Sequence, residues 1–214
     1  GRVEGAVSDL VRVARMNKSG AKVKPQIATA AYWQLFTNRN SRIRQLNQLD
    51  DKMVAMTRYS VTDMLADHVV DSAKLKSERV FKVQINDVNV RLQMMLNNEM
   101  DAMFVTEPQA TLARLAKHKV LLDTRKMNWH MGVIAFREKP MKDVDRKRQY
   151  DVFVKAYNQA CDSINKNGIA RYAHLMEKYC RTRSAVLDSI PKTKFPHAVG
   201  PREKDVLRAE KYIK

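Results

Sequence analysis

Cysteine is nearly absent. The 214 residues hold two, Cys161 and Cys180. Neither sits in a CxxC pair or has a histidine at metal-ligand spacing, so no zinc ribbon or dithiol motif is present and no metal site is expected. Both fall on expected neighbouring helices and read as buried free thiols. A disulfide stays open for an oxidising compartment. Long apolar runs are absent too: none approaches the roughly 20 residues that span a bilayer. Gly1-Arg2-Val3-Glu4 opens the chain without a charged-then-apolar leader, so no signal peptide is visible. Catalytic signatures are missing: no G-x-S-x-G, P-loop, G-x-G-x-x-G or H-E-x-x-H. The histidines His68, His118, His130, His174 and His197 are scattered. No catalytic constellation and no cofactor follow from this. An enzyme stays open only as a carboxylate-based possibility.

Acidic residues are the last shortage. Asp and Glu number 23 against 40 Lys and Arg, a net charge of +17. Such an excess suits nucleic acid, an anionic membrane surface or acidic ligands. The basic residues are spread out, however, with the densest cluster at Arg137 to Arg148. No basic stripe interleaved with aromatics is present, as single-strand binders require. The charge reads as a solvated basic surface and no nucleic-acid partner is expected, although polyanion binding stays as an alternative.

Residues Val80 to Ala116 read as strand, loop, helix, strand, loop, helix. Val80 to Ile85 alternates apolar and polar residues and is rich in β-branched ones. Asn86-Asp87 stops it with turn chemistry. Val88, Leu92, Met95 and Leu96 recur at helical spacing, and Met94, Met95 and Met100 read as core filling. Ala102-Met103-Phe104-Val105 is a continuous apolar run that fits a strand buried on both faces. Thr106-Glu107-Pro108 ends it, with Pro108 suited to the first turn of the next helix. Strands alternating with helices imply parallel pairing, with ligands outside the carboxyl ends of the strands.

The rest of the chain repeats that grammar. Ala6-Val7 is a short strand ending in Ser8-Asp9, followed by a helix that Gly20 stops. Val23 to Phe36 reads as extended, with aromatic Tyr32 and Trp33. Lys52 to Thr57 is a short apolar strand. After it, Ser60 is an N-cap, with Asp63 as a shorter stand-in for a capping-box glutamate. Lys119 to Asp123 and Met131 to Phe136 are strands. Phe153, Val154, Tyr157, Ala160, Cys161 and Ile164 make a long amphipathic helix face. Two short helices follow over 169–179 and 184–190, and a charged helix closes the chain over 202–214. The segment from Glu4 to Asp9 echoes that from Glu99 to Glu107: an acidic start, a small apolar strand, a hydroxyl residue before a carboxylate, then a helix. Two half-structures wired alike would produce this, and so would chance.

Several of these segments carry a family resemblance. Asn47-Gln48-Leu49-Asp50-Asp51-Lys52-Met53-Val54-Ala55 resembles the entry to the second lobe of type II periplasmic binding proteins, with Asp51 where the family usually has Gly. Arg91 to Ala102 resembles their "mL.nGeiDA" segment, Val105 to Ala110 their "EP" loop, and Phe153 to Asn167 their "FlkAyn.A" helix. Lys194-Phe195-Pro196 fits as well. The nearest branch serves ABC importers of aliphatic sulfonates, taurine, nitrate or thiamine-precursor pyrimidines.

The resemblance implies an α/β protein of two lobes with parallel or mixed sheets flanked by helices. Residues 1–36 with 136–214 would form lobe 1, and 37–135 lobe 2, joined by two hinge crossings. It implies a monomeric solute receptor that closes on a small-molecule ligand between the lobes and docks on importer membrane subunits. Its location would be periplasmic or anchored outside the cytoplasmic membrane. The family begins with a strand, a helix and a strand ahead of the segment that matches Gly1 to Asp9, so part of lobe 1 is expected to be missing from these residues.

Ligand-site candidates follow from the strand ends. Arg58, Ser60 and Thr62 lie between a strand and a helix N-terminus, where backbone N–H groups and the helix dipole favour an anion. Capping of its own helix is the competing role for Ser60. Ser8 and Asp9 end a first-lobe strand, and Asn86, Asp87 and Glu107 end two second-lobe strands; capping and turn duty compete at each. Tyr32 could stack on a flat ligand, with a core role as the alternative. His130 reads as a structural histidine.

Overall fold

The structure, a computed structural model, describes residues 3–213. Gly1, Arg2 and Lys214, which the expected first lobe and last helix include, lie outside the described residues. In chain order the elements begin with β1 (Gly5–Asp9), α1 (Leu10–Lys18), β2 (Val23–Ala28) and β3 (Gln34–Thr37). Next come β4 (Lys52–Met56), α2 (Val61–Ser72), β5 (Val80–Gln84), α3 (Val88–Leu96), β6 (Ala102–Val105), α4 (Gln109–Leu115) and β7 (Lys119–Asp123). The chain ends with β8 (Gly132–Arg137), α5 (Val144–Asn167), α6 (Ala173–Cys180) and α7 (Glu203–Tyr212). The second of the two short helices expected after α5 is a 3-10 segment, Ser184–Ser189.

Two compact units divide the chain. Unit 1 is Gly1–Ala31 with His130–Lys214, and unit 2 is Tyr32–Trp129. The boundaries therefore fall at 31/32 and 129/130, where the sequence suggested 36/37 and 135/136. Pairing explains the shift, because β3 pairs with β6 and β7 in unit 2 while β8 pairs with β1 and β2 in unit 1.

Unit 2 holds a five-stranded sheet in the order β5-β4-β6-β3-β7. β4 runs parallel to β5 and β6, as alternation of strands and helices predicts. β3 breaks the rule by running antiparallel to β6 and β7. Its four residues are all buried, as are those of β6, so both sit in the middle of the sheet. Against this sheet pack Leu92, Met95, Met100, Ala110 and Ala113, with Met94 partly buried. Unit 1 holds a three-stranded sheet, β1-β8-β2, in which every pair is antiparallel. Alternation of strands and helices alone implied parallel neighbours; β8 lies between β1 and β2 instead, an arrangement within the parallel or mixed sheets that the resemblance implied.

The sequence echo has a topological counterpart. In unit 1, β1 leads through α1 to β2, and the antiparallel β8 is inserted between them. In unit 2, β6 leads through α4 to β7, and the antiparallel β3 is inserted between them. In each case the inserted strand is the first one reached after the chain crosses from the other unit.

Helix ends show how this sequence manages with six glycines. α1, α2, α3 and α4 all close with a pair of backbone bonds that brings the residue after the C-cap into the left-handed region. Gly20 fills that place after α1: its N–H donates to the Asn17 carbonyl and the Ala21 N–H to the Met16 carbonyl, at 3.0 Å each. Lys74, Asn98 and Lys117 fill it after α2, α3 and α4, at φ of 54°, 63° and 63°. Asp51, at φ 60°, occupies a left-handed turn where the resembled family has Gly; aspartate tolerates this backbone better than most residues.

Pro108 is the N-cap of α4 rather than its first helical residue. The face expected along α5 is partly covered: Cys161 is buried, Val154 and Tyr157 pack half-buried against Ile27, Ile134 and Phe136, Ile164 is half-buried, and Phe153 is 40% exposed. Both cysteines are free thiols, Cys161 buried and Cys180 half-buried.

Candidate functional site at the carboxyl-end rim of unit 2

Because β4, β5 and β6 are parallel, their carboxyl ends open on one edge of the sheet. Each strand turns there into a helix, and those three loops hold most of the candidate residues. β7 is antiparallel to β3, which is antiparallel to β6, so its end with Thr124 and Arg125 joins the same rim.

The loop after β4 is stitched from within. Ser60 caps α2 by accepting from the Thr62 N–H at 3.2 Å, and its hydroxyl donates to the Thr57 carbonyl at 2.7 Å. Thr62 Oγ1 accepts from the Thr57 N–H at 2.9 Å. Both hydroxyls are buried and engaged by their own loop. Asp63 accepts from the Tyr59 N–H at 2.8 Å, one residue before the position a capping box would use. Tyr59 takes a left-handed φ of 62°, which makes the turn tight. Arg58 projects from this turn, exposed and without an ion-pair partner among the described residues.

The loop after β5 presents Asn86 and Asp87, both exposed. Asp87 caps α3 through the Asn89 N–H at 2.7 Å. In the loop after β6, Glu107 precedes a cis peptide bond to Pro108. Its carboxylate accepts from the Thr111 N–H at 3.0 Å, the Thr111 hydroxyl at 2.6 Å, the Tyr32 hydroxyl at 2.7 Å and the Arg114 guanidinium. Burial would raise its pKa, but the bonds from Thr111, Arg114 and Tyr32 prevail and hold it below the usual carboxylate range. Tyr32 is driven the other way, upward, by burial and by the hydrogen bond to Glu107.

Glu107 belongs to a closed circuit. Arg114 also donates to Gln34 Oε1 at 2.7 Å, and Gln34 donates to Asp123 at 2.8 Å. Asp123 holds Arg125 at 2.5 Å, and the Arg125 guanidinium stacks on the Tyr32 ring 3.9 Å from its centre. Tyr32, Glu107, Arg114, Gln34, Asp123 and Arg125 thus close a ring of contacts. Tyr32 is 6% exposed within it, in keeping with the core role weighed against ligand stacking.

Arg91, on α3, went unnoticed in the sequence. It is 2% exposed, and its guanidinium donates to the Ile85 carbonyl at 2.6 Å, the Phe104 carbonyl at 2.7 Å and the Thr57 hydroxyl. One buried cation therefore ties together the ends of β5, β6 and β4. The only sequence signal would have been a charged residue on the apolar face of a helix, one before Leu92.

In unit 1, Ser8 is half-buried, and Asp9 is buried and caps α1 through the Arg12 N–H at 3.0 Å. The remaining candidates, Tyr32, Arg58, Ser60, Thr62, Asn86, Asp87 and Glu107, are gathered on the unit 2 rim. His130, expected to be structural, is exposed. No cluster of metal-ligating side chains occurs among the described residues.

No family model matches the sequence, and no curated protein matches it. Solved structures do. The alkanesulfonate-binding protein SsuA from Xanthomonas axonopodis pv. citri, bound to MOPS, aligns at TM-score 0.77 and 15% identity over 99% of this chain and 73% of its own. The periplasmic aliphatic sulphonate binding protein SsuA from Escherichia coli aligns at 0.73 and 15% identity, over 100% and 73%. The chain has the fold of ABC-importer substrate-binding proteins. That substrate-binding-protein fold also serves catalysis: the desulfurization enzyme DSZB aligns at 0.65 and 10% identity, over 97% of this chain and 76% of its own.

Proposed function

We propose that the chain is the substrate-binding component of an ABC-type importer, taking a small anionic or polar solute such as a sulfonate, nitrate or a pyrimidine. It would work as a monomer outside the cytoplasmic membrane and deliver its ligand to importer membrane subunits. The fold likeness supports the class, and no described helix is long and apolar enough to cross a membrane.

One observation carries the choice of an anion. Glu107 and Asp123 are each paired with an arginine, whereas Arg58 stands exposed beside the N-terminus of α2 with no ion-pair partner among the described residues. Guanidinium groups match the planar or trigonal oxygens of sulfonate and nitrate. Side chains that serve as caps hold the rim loops in place, and Arg58 with neighbouring backbone would then supply the contact.

Calorimetry and thermal shift with MOPS, taurine, nitrate, a hydroxymethylpyrimidine and amino acids test this. At least one should raise Tm, and Arg58→Ala should weaken it about tenfold, or ~1.4 kcal/mol. Absence of any small-ligand shift, together with binding to random duplex DNA that falls log-linearly with salt, would sink the proposal. The likeness to the desulfurization enzyme favours a second reading, an enzyme on the same fold. Its signature would be turnover of a candidate substrate that is lost in Asp87→Asn or Glu107→Gln.

A further inference from the structure

The charge is divided unevenly between the two units. Lys and Arg number 25 against 12 Asp and Glu in unit 1, but 15 against 11 in unit 2. Within unit 1 the stretch from Lys166 to Lys194 holds seven basic residues and two acidic ones, Glu177 and Asp188. All seven cations are exposed, and none makes an ion pair among the described residues. Arg79, Arg114, Arg125, Arg202 and Arg208, elsewhere in the chain, each hold a carboxylate.

The fold brings these cations together. A 3-10 turn at Ile169–Tyr172, α6 and the 3-10 segment at Ser184–Ser189 pack on one another, carrying Arg171, Lys178, Arg181 and Arg183 on or between them. Glu177 is spent within this cluster, where its carboxylate accepts from the Ser184 N–H at 3.2 Å. The Tyr172 hydroxyl meets the Ser163 hydroxyl at 2.5 Å and so ties the cluster to α5. Asn165 fixes Phe195 through both of its amide atoms, at 2.8 and 2.9 Å. That holds the chain at Lys194 against the end of α5 that carries Lys166.

Apolar groups stand among the charges. On α6, Leu175 and Tyr179 lie one turn apart, 41% and 71% exposed, with Arg171 one turn ahead of Leu175. The Lys178 ammonium sits 5.2 Å from the centre of the Tyr179 ring. Clusters of about 4–8 basic residues draw anionic lipid headgroups, and leucine or tyrosine beside them enters the boundary between headgroups and acyl chains.

We propose that this α6 face of unit 1 docks on an anionic membrane surface, its cations on lipid phosphates and Leu175 and Tyr179 at headgroup depth. Nucleic acid is the less fitting occupant, because a leucine cannot stack on a base and one tyrosine makes no stacking platform. The assignment goes beyond the solute-receptor reading and uses none of the unit 2 rim.

Co-sedimentation of the full chain with vesicles tests it, using phosphatidylcholine alone and equal parts phosphatidylcholine and phosphatidylglycerol. Binding should saturate on the anionic vesicles only and fall as sodium chloride is raised. Lys178→Glu, Arg181→Glu and Arg183→Glu together should weaken it at least about tenfold. Lys76→Glu, Lys117→Glu and Lys119→Glu together, at exposed sites of unit 2, change the net charge equally and should weaken it less than about twofold. Leu175→Ser with Tyr179→Ser should weaken vesicle binding severalfold. All these side chains are exposed, so the variants should keep the fold, which circular dichroism checks; the lipid and salt dependence of the parent chain needs no variant. No binding to anionic vesicles, equal binding to phosphatidylcholine alone, or equal loss in the two charge-reversed triples would each overturn the assignment. So would vesicle binding that the serine pair leaves unchanged, or tighter binding to random duplex DNA than to the vesicles. Solute binding, read through Arg58→Ala, is measured independently of all these outcomes.

Discussion

At the scale of residues, the rim depends on buried groups whose partners are complete. Arg91 is the extreme case, a desolvated cation with its donors spent on three strand ends. Replacing it with methionine keeps the bulk but orphans two buried carbonyls, which should cost about 2–4 kcal/mol. Chemical denaturation of Arg91→Met measures this, and hydrogen exchange should show the loops at 57–60 and 85–87 loosening together. Glu107 makes a pH prediction. Its folded pKa lies below the unfolded value, so its contribution is present above about pH 4.5 and is lost as pH falls through the lower folded value. Glu107→Gln should therefore be destabilised at neutral pH, and the gap to the parent should narrow towards about pH 3. His118 acts in the same sense at higher pH. It is 6% exposed, and its Nδ1 accepts from the Arg39 N–H at 3.1 Å. Burial and then the Arg39 charge lower its pKa. Its contribution is present above about pH 6.5 and lost on acidification, a loss that His118→Gln should flatten.

At the scale of elements, helix starts were legible and helix ends were not. Asp9, Ser60 and Asp87 cap α1, α2 and α3, because a short polar side chain ahead of an apolar run has a donor to satisfy wherever the helix lies. At the other ends only glycines gave a signal: Gly20 after α1, and Gly168, which is the C-cap of α5. Lys74 and Lys117 adopt the same left-handed backbone without glycine's freedom, since the paired bonds that close each helix hold them there. Left-handed backbone costs an ordinary residue about 1–2 kcal/mol, and glycine loses about 0.5–1 kcal/mol of that advantage through entropy. Lys74→Gly and Lys117→Gly should each stabilise by a few tenths to about 1 kcal/mol in urea melts. Gly20→Ala should destabilise by a similar amount.

At the scale of the whole molecule, a charge of +17 means net self-repulsion in the folded state. Raising sodium chloride from about 20 to 200 mM shortens the screening length from roughly 20 to 7 Å, so Tm should rise over that range. A flat or falling Tm would show that surface ion pairs, such as Arg79 with Asp50 at 2.6 Å, outweigh the excess. By itself the sequence determined the strands and helices, the helix caps and the rim loops after β4, β5 and β6, because periodicity and turn chemistry act between near neighbours. Only the tertiary structure decided that β3 and β8 are inserted between strands of the unit they enter, and that Arg91 ties three strand ends. The strand pairings join residues about 65 to 131 positions apart, and Arg91 reaches 6, 13 and 34 positions along the chain; such contacts are chosen by which buried surface accepts the group, not by local pattern.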